Sequence, residues 1–171
     1  MITVDSQIWI YYLDPNAVEN QDVSQFLEGL NNDGPLFTGH IHLNGVVPVE
    51  VAHNLFGNKD LDPESIYGLL TAVFGALNIE VVDITPSTMV HALKILLNYR
   101  SKGIGGRDAL ILATMGEYNV NTIITHDTNI LSLVELRRVD PVLRPALILE
   151  VGEVFDRKDF KRRIKSQNQP Q

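Results

Sequence analysis

The chain has 171 residues, of which 44% are hydrophobic, a size and composition typical of one domain with a substantial core. It contains no cysteine, which excludes disulfides, thiolate metal sites and cysteine nucleophiles. The net charge of −7 argues at first against a nucleic-acid partner. However, residues 157–171 hold six basic residues and one acidic residue, whereas the rest of the chain holds eight basic and 20 acidic residues.

The N-terminus, MITVDSQIW, lacks the basic start of a secretory leader. No apolar run approaches the roughly 20 residues that a membrane-spanning helix requires. We therefore expect a cytoplasmic protein without membrane contact.

The predicted elements alternate between strands and helices along the chain. Pro48, Pro63 and Pro86 each suit the first turn of a helix, where a missing N–H costs nothing. Strands are expected at residues 2–4, within 36–47, and at 79–84, 122–125 and 145–151. Helices are expected at residues 7–13, 18–30, 48–56, 64–77, 86–102, 109–117, 128–136 and 156–165, and residues 166–171 should be disordered.

Helices separate nearly all the expected strands, which predicts an α/β fold with a parallel sheet covered on both faces. In such a sheet, ligands bind beyond the carboxyl ends of the strands. Asp127 directly follows the strand at 122–125, and Asp108 opens the preceding helix, so both can lie at one rim. Each also has a structural explanation, because Asp108 suits the positive end of a helix dipole and Asp127 suits a turn.

Two further acids share this description. Asp5 ends the first expected strand, and Glu50 is expected in the first turn of the helix that begins at Pro48. Like charges at close range raise one another's pKa and destabilise a fold unless a cation lies between them. Because Mg²⁺ prefers oxygen ligands, four acids at one rim predict a site for a hard cation such as Mg²⁺.

Four stretches around these acids resemble motifs of the PIN-domain nuclease family: VDSQIWIYYL, VPVEVAHNL, GRDALILATM and IITHDTNI. The resemblance covers roughly residues 1–150. It implies a three-layer α/β/α sandwich with a central, mainly parallel five-stranded sheet. It also implies Mg²⁺- or Mn²⁺-dependent cleavage of single-stranded RNA. Many family members are toxins of toxin–antitoxin pairs, which implies an antitoxin protein as a partner, and the family also implies a homodimer.

The expected chemistry assigns a role to each acid. Asp5, Asp108 and Asp127 are the predicted principal metal ligands, and Glu50 either completes the ligand shell or orients the attacking water. Ser6, Thr125 and Asn129 are candidates for hydrogen bonds to these carboxylates or to the scissile phosphate. Ordinary capping and turn roles explain these three residues equally well.

Other functions fit the sequence less closely. A phosphatase of the haloacid-dehalogenase type needs a second aspartate two residues after the first, where this chain has Gln7. A di-iron site needs a second Glu-x-x-His beside Glu50 and His53, and none is present. A non-catalytic PIN-like module that binds RNA or protein stays open as the alternative, although all four acids are present.

The C-terminal segment is expected to differ from the rest of the chain. We predict a nuclease domain at residues 1–155 and a basic helix or tail at 156–171. The tail is either an arm that tracks RNA or a solvated helix. A homodimer is also predicted because the helix at 64–77 carries more apolar side chains than one small sheet covers: Ile66, Leu69, Leu70, Val73 and Phe74.

Overall fold

The computed structural model describes residues 1–30, 40–76 and 78–167, with the side chain of Leu30 excepted. Six short strands and eight helices alternate in this part of the chain. In chain order they are β1 (Thr3–Val4), α1 (Ser6–Leu13), α2 (Asn20–Leu30), β2 (Ile41–Asn44), α3 (Val46–Gly57), α4 (Pro63–Phe74), β3 (Ile79–Val82), α5 (Pro86–Tyr99), α6 (Gly106–Glu117), β4 (Thr122–Ile124), α7 (Thr128–Leu131), β5 (Arg137–Asp140), β6 (Leu147–Leu149) and α8 (Arg157–Gln167). A 3₁₀ turn, Arg100–Lys102, follows α5.

The strands form a mainly parallel arrangement. β1, β4 and β5 run parallel, and β6 adds an antiparallel edge to β5. β2 and β3 form a separate parallel pair, which a bridge between Ile2 and Ile41 joins to the start of β1. The order across both ladders is therefore β3-β2-β1-β4-β5-β6. The expected α/β fold with a mainly parallel sheet is confirmed.

Strand β5 was not predicted from the sequence. Its four residues, RRVD, lack an apolar run, and the helix expected at 128–136 is limited to the four residues of α7. The described residues thus form six strands where five were expected. Arg138 can be completely buried in β5 because its guanidinium donates to the backbone carbonyls of Leu131, Glu150 and Glu153.

Two helix boundaries differ from expectation in ways that affect later arguments. α3 begins at Val46, so Glu50 lies in its second turn and not in its first. Residues 166 and 167, which were expected to be disordered, belong to α8. The rest of that segment, and the part of the expected strand before residue 40, lie outside the described residues. No helix in the described ranges is both long and apolar enough to cross a membrane.

The two central strands, β1 and β4, determine where the candidate site lies. Thr3 and Val4 of β1 lie opposite Ile123 and Ile124 of β4, and all four are buried. The pairing continues one residue beyond β1, because the N–H of Asp5 donates to the carbonyl of Ile124 at 2.9 Å. The buried central strands therefore hold Asp5 beside the carboxyl end of β4.

Candidate metal centre

Asp5 is the most deeply buried of the predicted acids. It follows β1 and begins α1, and only 7% of its surface is exposed. Burial raises the pKa of Asp5 to about 6, although hydrogen bonds from Thr125 and the backbone of Ser6 act in the opposite direction. The negative charges of Asp108 and Asp127 raise this pKa as well. The structure therefore brings these three carboxylates within electrostatic reach of one another.

Thr125 links two of the three acids. Its hydroxyl donates to Oδ2 of Asp5 at 2.7 Å and accepts the backbone N–H of Asp127 at 3.0 Å. Thr125 is completely buried, and its own N–H donates to the carbonyl of Val139 in β5. One threonine therefore sets the orientation of the Asp5 carboxylate and the start of the loop that carries Asp127.

Asp108 lies in the first turn of α6, where its Oδ2 accepts the N–H of Gly105 at 2.8 Å. This bond satisfies one of the free donors at the start of the helix. The structural explanation for Asp108 is thus correct, and it does not exclude the electrostatic contact with Asp5. A carboxylate has a second oxygen, which this bond leaves available.

Asp127 caps the short helix α7 in a similar way. Its Oδ1 accepts the N–H of Asn129 at 2.6 Å, and the Asn129 side chain donates to the carbonyl of Gly103 at 3.3 Å. Gly103 has a positive φ of 76° and ends the 3₁₀ turn after α5. Asn129 therefore ties the loop of Asp127 to the segment that leads into Asp108.

Glu50 has a different environment from the other three acids. Its Oε1 forms an ion pair with the Arg107 guanidinium, next to Asp108 in α6. The Glu50 side chain is 16% exposed and that of Arg107 is 64% exposed. The expectation of four uncompensated carboxylates is wrong for Glu50, because Arg107 supplies a nearby positive charge. No local pattern reveals this pair, since 57 residues separate its members.

The donor atoms around Asp5 are all oxygens, which suits a hydrated divalent cation. Within residues 1–30, 40–76 and 78–167, no group of three or more His, Cys, Asp or Glu side chains is arranged to hold a metal ion. The hydroxyl of Ser6, adjacent to Asp5, is buried without a hydrogen-bond partner. Mg²⁺ commonly keeps several waters and uses one or two carboxylates. A cluster made of oxygen donors, with one unpartnered buried hydroxyl beside it, fits that coordination.

Two neighbouring side chains have roles that the sequence did not reveal. His126 precedes Asp127, and its Nδ1 lies 2.8 Å from Oδ2 of the buried Asp140. Arg157, at the start of α8, donates to Oδ1 of Asn129 at 2.8 Å. The second contact brings the C-terminal helix to the rim, and a separation of 28 residues gives no sequence signal for it.

A family model provides an independent comparison. The model described as "PIN domain" matches residues 2–136, which include every acid of the candidate centre. The match ends before β5, so α8 lies outside it.

Individual proteins give a consistent result. A VapC ribonuclease of Mycobacterium bovis is 26% identical over 139 residues, which cover 81% of this chain and 99% of that protein. Among solved structures, the Mycobacterium tuberculosis VapC20 toxin, described as cleaving the sarcin-ricin loop, aligns with a TM-score of 0.61 at 15% identity. That alignment covers 75% of this chain and 91% of VapC20. The VapBC2 complex of Rickettsia felis, bound to promoter DNA, gives a TM-score of 0.60 at 18% identity over 81% of this chain and 97% of the other. At these identities the structural matches establish a shared fold.

Proposed function

Because the chain belongs to the PIN-domain family, we propose that it is a divalent-metal-dependent endoribonuclease that hydrolyses phosphodiester bonds of single-stranded RNA. The observation that carries this proposal is the cluster of Asp5, Asp108 and Asp127, in which neighbouring charges help raise the pKa of a buried carboxylate. The description of the M. bovis relative as a ribonuclease supports the reaction type.

Asp5, Asp108 and Asp127 would hold the cation, either directly or through water, and Mg²⁺ and Mn²⁺ are the proposed ions. When bound, the cation acidifies a water molecule and neutralises charge that develops on the phosphoryl oxygens. Thr125 keeps the Asp5 carboxylate in a fixed orientation through its 2.7 Å hydrogen bond. Ser6 and Asn129 complete the polar surroundings of the acids.

Glu50 and Arg107 are proposed to act on the substrate side of the centre. The Arg107 pair leaves Glu50 less suited to direct metal binding, so its proposed role is to orient the attacking water. Arg107 is exposed at the rim, and the N–H donors of its planar guanidinium group match the geometry of phosphate oxygens. Its guanidinium can therefore contact a phosphate next to the cut position while it holds Glu50.

The biological setting that we propose is a toxin–antitoxin pair. Among the structural neighbours are VapC20, described as a toxin, and the VapBC2 complex. An antitoxin protein is therefore a proposed partner. A reading frame beside this gene that encodes a small DNA-binding protein, which purifies in complex with this chain, would support the pairing.

A homodimer is also proposed, through a different surface from the one expected. In α4, Ile66 and Leu70 are buried in the core, and Val73 and Phe74 pack against it. Leu69 of α4 is partly exposed, but a continuous stripe of exposed apolar side chains runs along α5: Met89, Val90, Leu93 and Leu97. This stripe borders a groove of about 480 Å³ that reaches Asp108, so a partner copy there would lie beside the candidate centre.

The alternative function is a non-catalytic PIN-like module that binds RNA or protein. One observation favours it: in the described residues, no group of three or more His, Cys, Asp or Glu side chains is arranged to hold a metal ion. The two functions differ in whether added metal causes cleavage.

The direct test is cleavage of a fluorescent 12-nucleotide single-stranded RNA by the full chain in Mn²⁺ and in EDTA. Asp127→Asn keeps the oxygen that accepts from Asn129 but removes the charge. The rate of RNA cleavage by this variant should fall at least about a hundredfold. That loss corresponds to about 2.8 kcal/mol of transition-state stabilisation, since each 1.4 kcal/mol changes the rate about tenfold. Asp60→Asn, at an exposed turn, should cut normally. RNA binding without Mn²⁺-dependent cleavage by the wild type would favour the non-catalytic alternative.

A further inference from the structure

The C-terminal helix α8 begins at the rim of the candidate centre. Arg157 donates to Oδ1 of Asn129 at 2.8 Å and to the carbonyl of Thr128 at 3.4 Å. The N–H of the same Asn129 donates to Asp127 at 2.6 Å. Only one side chain therefore separates the first residue of α8 from a proposed metal ligand.

Apolar contacts hold α8 against the rest of the molecule. Phe160 is buried, with its ring centroid 5.2 Å from that of Phe155 and 5.6 Å from that of His126. These two phenylalanines belong to a second apolar cluster, to which Ile164 of α8 also packs. The other buried members of that cluster are Leu131, Leu143 and Leu149. The helix thus presents a fixed surface and does not behave as a loose arm.

Buried Arg138 fixes the segment that leads into α8. Its guanidinium donates at 2.9 Å to the carbonyl of Leu131, at the end of α7, and to those of Glu150 and Glu153, in the turn after β6. The same arginine therefore joins the helix capped by Asp127 to the turn that precedes α8. These bonds set the position of α8 relative to the acids.

The outward side of α8 is basic along its length. Five of its residues are exposed and recur with the helical spacing i, i+1, i+4, i+5 and i+8, so they share one face. We call this surface the α8 basic face: Arg157, Lys158, Lys161, Arg162 and Lys165. It extends for roughly 12 Å at 1.5 Å per residue. Asp159 forms an ion pair with Arg162 at 3.7 Å, whereas the three lysines of this face form no ion pair with any residue that the structure describes.

We propose that the α8 basic face binds the phosphate backbone of RNA next to the cut position. The choice of ligand rests on the ribonuclease activity proposed above. A molecule with a net charge of −7 and an acidic rim repels a polyanion, so productive binding needs a positive surface close to that rim. The α8 basic face supplies that surface, and Arg157 connects it to Asn129.

The test compares two double variants of the full chain that carry the same change in charge. Lys158→Gln with Lys161→Gln alters the α8 basic face, whereas Lys59→Gln with Lys94→Gln alters exposed lysines on other elements. Affinity for a fluorescent 12-nucleotide single-stranded RNA is measured in EDTA over a range of salt concentrations, so that no cleavage occurs. Lys59 lies in an exposed turn after α3, and Lys94, Lys158 and Lys161 are exposed on helices, so these Lys→Gln changes should leave folding nearly unchanged; thermal melts check this.

Each phosphate contact to a single strand contributes roughly 0.7 to the slope of log affinity against log salt. The α8 variant should therefore lose about 1.4 from the slope and bind roughly tenfold more weakly at 0.1 M salt. The control variant should match the wild type. Equal slopes and affinities for the two double variants would overturn the proposal. Poly-glutamate is added as a competitor at the same concentration of negative charge, and displacement of the RNA by it would also overturn the proposal, because the surface would then bind any polyanion.

Failure of the proposal for the α8 basic face is distinguishable from failure of the proposed ribonuclease activity. If the wild type cuts RNA in Mn²⁺ and both double variants bind and cut equally, only the role of the α8 basic face is lost. If the wild type does not cut RNA but the α8 variant alone loses RNA affinity, the RNA-binding role of the α8 basic face is supported and the ribonuclease activity is not.

Discussion

At the residue scale, Asp5 is the group whose environment opposes its charge most clearly. Its pKa lies at about 6 in the folded protein, against an ordinary value of 3.8. The folded state therefore binds more protons than the unfolded state between these two values. The contribution of Asp5 to the free energy of unfolding is largest below pH 4 and falls as the pH rises through 6. At about 1.4 kcal/mol per pKa unit, up to about 3 kcal/mol is lost in the metal-free protein.

Thr125 limits this cost, and removing its hydroxyl should expose that role. Thr125→Val deletes the donor to Asp5 and the acceptor for Asp127, both in a buried setting. The free energy of unfolding, measured by chemical denaturation, should fall by about 1–3 kcal/mol. The pKa of Asp5 should rise further, so the acid limb of the Mn²⁺-dependent cleavage profile should move to higher pH.

Thr125→Ser is the matched control, because it keeps the hydroxyl and removes only a methyl group. It should retain the pH profile of the wild type. If the valine and serine variants gave the same profile, the hydrogen bonds of Thr125 would have no part in setting the charge of Asp5.

The sequence predicted the positions of Asp5 and Thr125 because local rules apply to them. Asp5 follows one short β-branched run and Thr125 is the last residue of another, and buried parallel strands end at a common rim. The partner of Glu50 was not predictable in this way. Arg107 reaches it across 57 residues through a flexible side chain, and only the packing of α3 against α6 brings the two together.

At the scale of elements, α5 carries an apolar surface that no other described part of the chain covers. Thr88 and Ala92 are buried, whereas Leu93 and Leu97 are 63% and 69% exposed. A dimer through α5 would cover these side chains. The double variant Leu93→Lys with Leu97→Lys should therefore be monomeric by light scattering at tens of micromolar, a concentration at which we expect the wild type to be dimeric.

The matched control for the dimer uses α4, the helix expected from the sequence to form the contact. Tyr67→Lys with Leu69→Lys also places two lysines at exposed apolar positions and should leave the dimer intact. A monomeric wild type, or a monomer caused by the α4 variant alone, would contradict the assignment to α5.

Strand β5 shows where periodicity fails as a guide to elements. Burial normally selects apolar side chains, but Arg138 is fully buried with its charge surrounded by carbonyl oxygens. Those carbonyls come from α7 and from the turn after β6, so the burial of Arg138 depends on tertiary contacts and not on the local sequence. The helices that begin at Pro63 and Pro86 were predictable, because proline and the capping residues Asp62 and Thr85 act locally.

At the scale of the whole molecule, the charges are separated between an acidic rim and the α8 basic face. The composition of residues 157–171 predicted a basic C-terminal segment. It could not predict that Phe160 would fix this segment beside Asn129, since that contact depends on a second apolar cluster. The division of the chain into domains at residues 155 and 156 stays a prediction.

Binding of a divalent cation by the acid cluster is tested most directly by thermal melts at pH 8 with and without Mn²⁺. A hundredfold excess of Mn²⁺ over its dissociation constant should stabilise the wild type by about 2.7 kcal/mol. For a domain of this size, the melting temperature should rise by roughly 5–10 °C. Asp108→Asn keeps an oxygen acceptor for Gly105 but removes one of the charges that act on Asp5.

Without metal, Asp108→Asn should therefore melt at the same temperature as the wild type or higher, because repulsion around Asp5 is relieved. With Mn²⁺, its melting temperature should rise by far less than that of the wild type. A wild type that shows no stabilisation by Mn²⁺, or an Asp108→Asn variant that is stabilised equally, would contradict the cation site and the mechanism built on it.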